Sequence, residues 1–306
     1  MNVSVMIVTL NRPQDLIVAL DSLVRQTHVP KEVLVIDQSD DDKTHSAVLA
    51  IQAKYPAHAG MFHYFHLEEK SAVKARNFGM KRATADIVSF LDDDSELCGD
   101  YYEKILTYFS KNPSLGGLGG SLIRKDMLSG NKGVLRRFLW KIFLLNPGNG
   151  CMTLSGFGYP IYEKPVTKTT RVEMLHGCNM NFRQSVMGKE LFDEWFTGYS
   201  FREDAEFCYR LSKITEIWVV PDARLYHHES PNNRLDIEKL KKMEIRNYRY
   251  VFEKHKKKGW WSWVFFFYSI GGILCIDFLE FLLSGDARKF KKFRAGIQAA
   301  FAPQES

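Results

Sequence analysis

Two short apolar runs that end abruptly in aspartate constrain this chain most. Val33-Leu34-Val35-Ile36 runs into Asp37, and Ile87 to Leu91 runs into Asp92-Asp93-Asp94. Neither run alternates polar with apolar residues, so neither suits a strand with one wet face. Both suit strands buried on two faces of a parallel sheet. Val3 to Val8 is a third such run, and Met61 to Leu67 a weaker one. Helical stretches lie between them. Asn11-Arg12-Pro13 can open a helix, with Pro13 suited to the first turn, and Leu16, Leu20, Leu23 and Thr27 follow at helical spacing. Ser71 to Ala85 reads as another helix. The order βαβαβαβ predicts an α/β sheet with a ligand crevice at the carboxyl ends of its strands.

The remainder is less regular. Leu115-Gly116-Gly117-Leu118-Gly119-Gly120 is a strand or bend where backbone passes close to something. Val134 to Leu145 is a helical stretch carrying Arg136, Arg137 and Lys141 among bulky apolar residues, and Asn146 to Thr170 reads as a loop. Glu173 to Phe182 reads as a strand, Arg202 to Leu211 as a helix, and Ile217 to Val220 as a last strand before Pro221. With 306 residues, 45% apolar and 25% charged, the chain can bury a real core as one large domain or a domain with an appendage. Its five cysteines are an odd number at wide spacing, which fits reduced thiols in the cytoplasm and excludes a close-spaced zinc motif. Met1 to Leu10 reads as a strand and lacks the pattern of a signal peptide.

Two carboxylates at i and i+2 on a strand end can converge on one hard cation. Magnesium and manganese take few protein oxygens and complete their shells with phosphate and water. Three aspartates alone would be an ordinary acidic turn. Their company gives them weight: Asp37 ends the second run, and Thr9 and Asn11 follow the first, so all open onto the crevice of Asp92. Arg76-Asn77, in the helix before the acidic strand, suits a sugar nucleotide through contacts to phosphate or hydroxyls. Asp204 follows Arg202-Glu203 at a helix start, where acids are stabilised in any case.

In order and spacing, the stretches VSVMIVTLNRP, EVLVIDQSDDD, SAVKARNFGMKRATADIVSFLDDDSEL, EMLHGCNMNFR and FREDAEFCYRL resemble the family-2 nucleotide-sugar glycosyltransferases of GT-A fold, over about residues 1 to 230. Ala72-Val73-Lys74 departs from the small-residue, glycine-containing run usual at that point. The resemblance implies a GT-A-like, mostly parallel mixed sheet flanked by helices, and an inverting transfer that depends on Mn2+ or Mg2+. It assigns Thr9, Asn11 and Asp37 to the nucleoside, with Asp37 near the base, and groups Arg76, Asn77, Asp92 and Asp93 with the donor contacts. Asp94 becomes the metal ligand and Asp204 the catalytic base, a role that fits a carboxylate within reach of an acceptor hydroxyl. Of the pair His227-His228, His227 better fits a third metal ligand, while His176 and Glu203 fall where acceptor contacts are made.

The tail has a different character. From Pro231 to Ser306 there are 15 Lys+Arg against 8 Asp+Glu, which leaves the rest of the chain at a net of −1 out of the total of +6. Gly259 to Ile276 holds 18 residues without a charge, the lower bound for a membrane span. Lys254, Lys256, Lys257 and Lys258 precede it; Arg288, Lys289, Lys291, Lys292 and Arg294 follow. Since positive charge favours the cytoplasmic face, a re-entrant or in-plane element keeps both clusters on one side. Phe290, Phe293, Ile297 and Phe301 share a helical face, as in an interfacial helix on anionic lipid. The expected division is a catalytic domain over 1–230, with a nucleotide-sugar half over 1–124 and an acceptor half over 125–230. A membrane-associated helical tail over 231–306 follows, holding the protein to the cytoplasmic face through residues 259–301. The acceptor is then a glycan or lipid-linked glycan.

Three rivals are weaker. A nucleotidyltransferase needs a glycine-rich basic loop after the first strand, and Thr9-Leu10-Asn11-Arg12-Pro13 has no glycine. A non-catalytic sugar-nucleotide or membrane-surface binding protein has no need of Asp92, Asp94 and Asp204 together. Nucleic acid is disfavoured as a partner because the tail's aromatics form one block and do not alternate with its bases.

Overall fold

The computed structural model describes residues 1–123, 131–146, 148–161, 165–188, 190–230, 236–255 and 259–302, without the side chains of 131–134. Lys256, Lys257 and Lys258 of the first basic cluster lie outside the described residues. The chain divides into two compact units, residues 1–127 with 162–233, and residues 128–161 with 234–306. The helical stretch from Val134, grouped by sequence with the first 230 residues, therefore folds with the C-terminal helices.

The first unit is built on one mixed sheet. Its first half is β1 (Val3–Thr9), α1 (Pro13–Val24), β2 (Glu32–Asp37), α2 (Lys43–Lys54), β3 (Phe62–His66), α3 (Ala72–Met80) and β4 (Ile87–Asp92). After it come β5 (Ser95–Leu97), α4 (Tyr101–Lys111), β6 (Leu115–Ile123), β7 (Thr170–Val172), β8 (Met180–Arg183), a one-turn helix, a helix over Glu203–Leu211, and β9 (Glu216–His227). Spatial order is β3-β2-β1-β4-β8-β6-β9-β5, with β7 also on β9. Strands β1, β2, β3 and β4 pair in parallel, as the continuous apolar runs predict, and β2 is buried at every position. Strand β8 is antiparallel to both β4 and β6, while β9 is parallel to β6, so β5, β7 and β8 are the strands that run against the rest. The core beneath this sheet joins Val5, Ile7, Leu20 and Val35 to Ile105, Phe109 and Leu118.

Two expected strands differ from those observed. The run from Glu173 to Phe182 is broken: β7 ends at Val172, and His176 to Asn179 form a turn closed by Asn179 N–H on His176 O at 2.8 Å. Asn179 holds that turn down with its amide, which donates to Gly120 O at 2.7 Å and accepts from Gly120 N at 2.9 Å. The last strand passes through Pro221. Its register against β6 jumps between Gly119/Val219 and Ser121/Arg224, so Pro221 stands in a bulge where no ladder donor is needed.

The second unit holds α5 (Asn131–Ile142), α8 (Ile237–His255), α9 (Trp260–Ser284) and α10 (Ala287–Phe301). For numbering, the one-turn helix Gln184–Met187 is α6 and the helix Glu203–Leu211 is α7. The unit's core gathers Phe157, Tyr248, Phe252, Phe266 and Ile273, with Leu139, Trp140 and Phe143 packed against it.

Candidate active site

Parallel register delivers the first residues of the site. Thr9 pairs with Asp37, and Val8 with Asp92, so the ends of β1, β2 and β4 lie level along the carboxyl edge of the sheet. Beyond Asp92 the chain turns back into β5, whose Ser95 pairs with His227 at the end of β9. That antiparallel pairing, reached only because β9 continues past Pro221, sets His227 Nε2 3.1 Å from Asp94 Oδ1 and 3.9 Å from Asp92 Oδ2. Asp94 Oδ2 accepts the Ser230 N–H at 2.9 Å. His228 points elsewhere, with Nε2 3.1 Å from Glu96.

Asp93 is nearly buried and faces the other way. It accepts Thr9 Oγ1–H at 2.7 Å and Arg12 Nη1–H at 3.2 Å, and Arg12 also reaches Asp94 at 3.8 Å. Asn11 precedes Arg12 with a φ of 54°, the left-handed region in which asparagine is enriched, and this turn aims Arg12 back at the acids. Asn11 itself bonds Asp40 and Ser39, on the β2 side. Asp37 is fully buried, with its oxygens taken by Ser39 N–H at 2.9 Å and Tyr64 O–H at 2.8 Å.

A second group closes the opposite side. Arg76, from α3, ion-pairs with Glu203 at the start of α7 and stands 3.7 Å from Asp92. Asp204 accepts Gly177 N–H at 2.9 Å and Ala205 N–H at 2.7 Å, so both its oxygens are fixed by backbone. Gly177 belongs to the turn that breaks the expected strand, and the same turn brings in His176 and Cys178. The rings of His176 and His227 meet edge to face at 5.7 Å, and Cys178 Sγ is 3.1 Å from His176 Nδ1. Asn77, one residue beyond Arg76 and so about 100° round the helix, turns away from the cluster. Its amide donates to Phe192 O at 2.9 Å and Glu194 at 3.1 Å and accepts Phe192 N–H at 2.8 Å, which ties residues 192–194 to α3.

Charge is divided unevenly among these acids. Burial would raise Asp94, but the ion pair with His227, the Ser230 N–H and Arg12 hold it down to about 2. Burial pushes Asp93 up to about 7 against the pull of Arg12 and Thr9. Asp92 is raised by burial, with Arg76 opposing, although 35% of its side chain stays open to solvent. Burial, with Asp204 adding to it, carries Glu203 up to about 8 against Arg76. Burial lowers His227, yet Asp94 and Asp92 outweigh it and the imidazole is raised. Burial and the surrounding carboxylates push the Cys178 thiol well up, which keeps it neutral.

The cluster suits a hard divalent ion. Asp94 Oδ1 is buried with no well-formed hydrogen bond and faces His227 Nε2. Ligand atoms of Asp92, Cys178 and His227 lie within 4.8 Å of one another. Two carboxylates with an imidazole are acceptable to Mn2+, and the carboxylates alone to Mg2+, whereas a neutral thiol is not a ligand for either.

Of the residues singled out in the sequence, the structure brings Thr9, Asp92, Asp93, Asp94, Arg76, Glu203, Asp204, His176 and His227 together, whereas Asn11 and Asp37 stand on the β2 side and Asn77 turns to residues 192–194. Sequence reasoning missed Arg12 and Cys178. Arg12 sits beside a proline that signals a helix start, and nothing in the local pattern shows that the chain turns it back. The histidine two residues before Cys178 was the available signal for the thiol.

The sequence and the fold resemble those of known proteins. The sequence model of glycosyl transferase family 2 matches residues 4–189. The glycosyltransferase YwdF of Bacillus subtilis is 33% identical over 106 residues, which are 34% of this chain and 37% of that protein. The Escherichia coli protein WfgD, a UDP-Glc:alpha-D-GlcNAc-diphosphoundecaprenol beta-1,3-glucosyltransferase, is 24% identical over 171 residues, 53% of this chain and 65% of its own. These matches thus span about a third to two thirds of the relatives' lengths. Among solved structures, the mannosyltransferase PcManGT from Pyrobaculum calidifontis, in complex with GDP-Man and Mn2+, superposes with a TM-score of 0.61 at 14% identity, covering 98% of this chain and 87% of that one. Residues 1–349 of TarS from S. aureus, in complex with UDP-GlcNAc, superpose with a TM-score of 0.61 at 16% identity, covering 98% and 82%.

Proposed function

The chain belongs to glycosyl transferase family 2, and from that premise we propose that it moves a sugar, with inversion, from a nucleotide-sugar donor to a hydroxyl of a glycan or lipid-linked glycan, using Mn2+ or Mg2+. The observation that carries this reading is the meeting of Asp92, Asp94 and His227 with Asp204 and its backbone clamp. Fold neighbours bound to GDP-Man with Mn2+ and to UDP-GlcNAc support the donor class. A relative that acts on a diphosphoundecaprenol-linked sugar supports a lipid-linked acceptor, and the long apolar helix supports attachment to a membrane through residues 259–301, on this reading at the cytoplasmic face.

Asp92, Asp94 and His227 would hold the metal, which supplies positive charge for a departing diphosphate. Thr9, Asn11 and Asp37 belong to the nucleoside side on this reading, with Asp37 buried behind Ser39 and Tyr64 and setting their positions. Asp93 binds Thr9 and Arg12 and so fixes the floor of the site. Arg76 spans Asp92 and Glu203 and keeps the donor and acceptor sides in one frame. Asp204 takes the proton of the acceptor hydroxyl as its oxygen bonds to the anomeric carbon. The bond from that carbon to the diphosphate oxygen breaks on the opposite face, which inverts the configuration. His176 stands beside the acceptor path.

The test is a donor screen with purified protein, Mn2+ or Mg2+ and a panel of nucleotide sugars, scored for nucleoside diphosphate release and product linkage. Turnover with one donor is expected, and Asp204→Asn should lower kcat about a hundredfold or more, the scale of general-base catalysis. Full transfer by that variant would remove Asp204 from the mechanism.

A further inference from the structure

Within the C-terminal unit, α9 is the one helix among the described residues that is long and apolar enough to cross a bilayer, with 25 residues and a mean hydropathy of 1.8 in its best window. Its burial, however, is strictly one-sided. Phe266, Ser269, Ile273, Ile276 and Asp277 face the unit's own core. The opposite stripe, through Trp260, Val264, Phe267, Gly271, Phe278 and Leu282 at helical spacing, is exposed along the whole helix and carries no charge. Trp260 is 66%, Phe267 55% and Leu282 58% exposed. Phe278 also meets Phe293 of α10, with ring centroids 5.1 Å apart, but the rest of the stripe is open, and exposed apolar surface of this extent marks an interaction face.

The packed side shows how the helix lies. Asp277 is buried on α9 between Lys241 of α8, at 3.0 Å, and Lys292 of α10, at 2.6 Å. Lys241 also pairs with Glu244, and Lys292 with Glu280. These pairs bind α9 sideways to two highly charged helices. A spanning α9 would carry α8 and α10 into the hydrocarbon, where each charge is costly. An in-plane α9 leaves both on the aqueous side.

A second helix shares the exposed character. On α5, Leu135, Phe138 and Ile142 recur at i, i+3 and i+7, and Phe138 is 59% exposed. Arg136, Arg137 and Lys141 flank them, while Leu139 and Trp140 pack on the unit's core. Ser269 of α9 bonds Phe143 O at 2.7 Å, which joins the end of α5 to the middle of α9. The charge partition fits the same occupant: residues 128–161 with 234–306 hold 19 Lys+Arg and 8 Asp+Glu, a net of +11, against −5 for the other unit.

We propose that α5 and α9 form a single docking face for an anionic lipid bilayer, on which α9 lies in the membrane plane without crossing it, and that α5 is an equal part of that face. This rests on the membrane association proposed above and adds an element outside residues 259–301. Partial insertion of tryptophan and phenylalanine beside basic residues is the chemistry of interfacial helices.

The experiment is flotation of the full chain with phosphatidylglycerol-containing vesicles and with pure phosphatidylcholine vesicles. Wild type should float with the anionic vesicles, and far less with the neutral ones. Leu135→Glu combined with Phe138→Glu should raise the lipid concentration for half-binding at least tenfold, while melting temperature and nucleoside diphosphate release in solution stay unchanged. Unaltered flotation of a folded double variant would overturn the role of α5, and equal binding to both vesicle types would overturn the lipid class. In sealed inverted inner-membrane vesicles, a tag placed after Ser306 should be open to protease. A protected tag would mean that α9 spans. Neither result depends on which donor, if any, is turned over.

Discussion

A methyl group at Gly177 would stand 3.2 Å from Asp204 Oδ2 and 3.3 Å from Arg76 Nη2. Neither neighbour can retreat easily, because Asp204 is held by two backbone N–H groups and Arg76 by Glu203. Gly177→Ala should therefore displace the base by a few tenths of an ångström. A roughly tenfold fall in kcat, equivalent to about 1.4 kcal/mol of barrier, is expected with little change in melting temperature; steady-state kinetics beside thermal melts would show whether the two separate. Residue identity alone leaves Asp94, Asp204 and His227 as an acidic turn, a helix start and one of two histidines; the order and spacing of the motifs around them singled them out, and the structure sets His227 beside Asp94. Arg12 was not legible, because its contacts with Asp93 and Asp94 depend on the positive φ at Asn11. Nor does sequence alone reveal that Asn77 serves residues 192–194, since that needs the pairing of α3 with a segment more than a hundred positions away.

Among the elements, α3 carries Arg76, and its seat on the sheet is set by Gly79. A Cβ there would meet Ile36 Cδ1 at 2.6 Å and Met6 Cε at 2.7 Å, on the buried strands β2 and β1. Those side-chain ends can move, but into a filled core. Gly79→Ala is expected to cost about 1–3 kcal/mol through overpacking, beyond any gain in helix propensity. It should also weaken transfer by lifting Arg76. Urea unfolding followed by activity measurements tests both, and an unchanged midpoint would show that the seat is looser than these distances imply. The parallel half of the sheet was readable because strands buried on both faces leave uninterrupted apolar runs. The antiparallel half was readable only in part: Leu115 to Gly120 and Ile217 to Val220 do lie in strands, but their extent and pairing left no pattern. There, β9 survives Pro221 by bulging, and the apparent strand from Glu173 is broken by a turn held by its hydrogen bonds with Gly120 and Asp204.

At the scale of the molecule, charge is segregated: the C-terminal unit holds the whole basic excess, while the unit with the site is acidic. The site sharpens this contrast, since Asp92, Asp93, Asp94, Glu203 and Asp204 face two guanidiniums, Arg12 and Arg76. A nucleoside diphosphate brought to such a cluster meets repulsion from Asp92 and Asp94 unless a divalent ion stands between them. Binding should therefore be ordered. In EDTA, GDP or UDP should leave the melting temperature unchanged. Mn2+ alone should raise it, and Mn2+ with the correct nucleoside diphosphate should raise it further. A ligand at a hundred times its Kd contributes about 2.7 kcal/mol by mass action, enough for a shift of several degrees that scanning fluorimetry resolves. Asp94→Ala should abolish the Mn2+ step and the nucleotide step together, because the second depends on the first. A nucleotide-induced shift that persists in EDTA would show that Arg12 and Arg76 suffice for the diphosphate, and the ion would then lose its place in the donor complex.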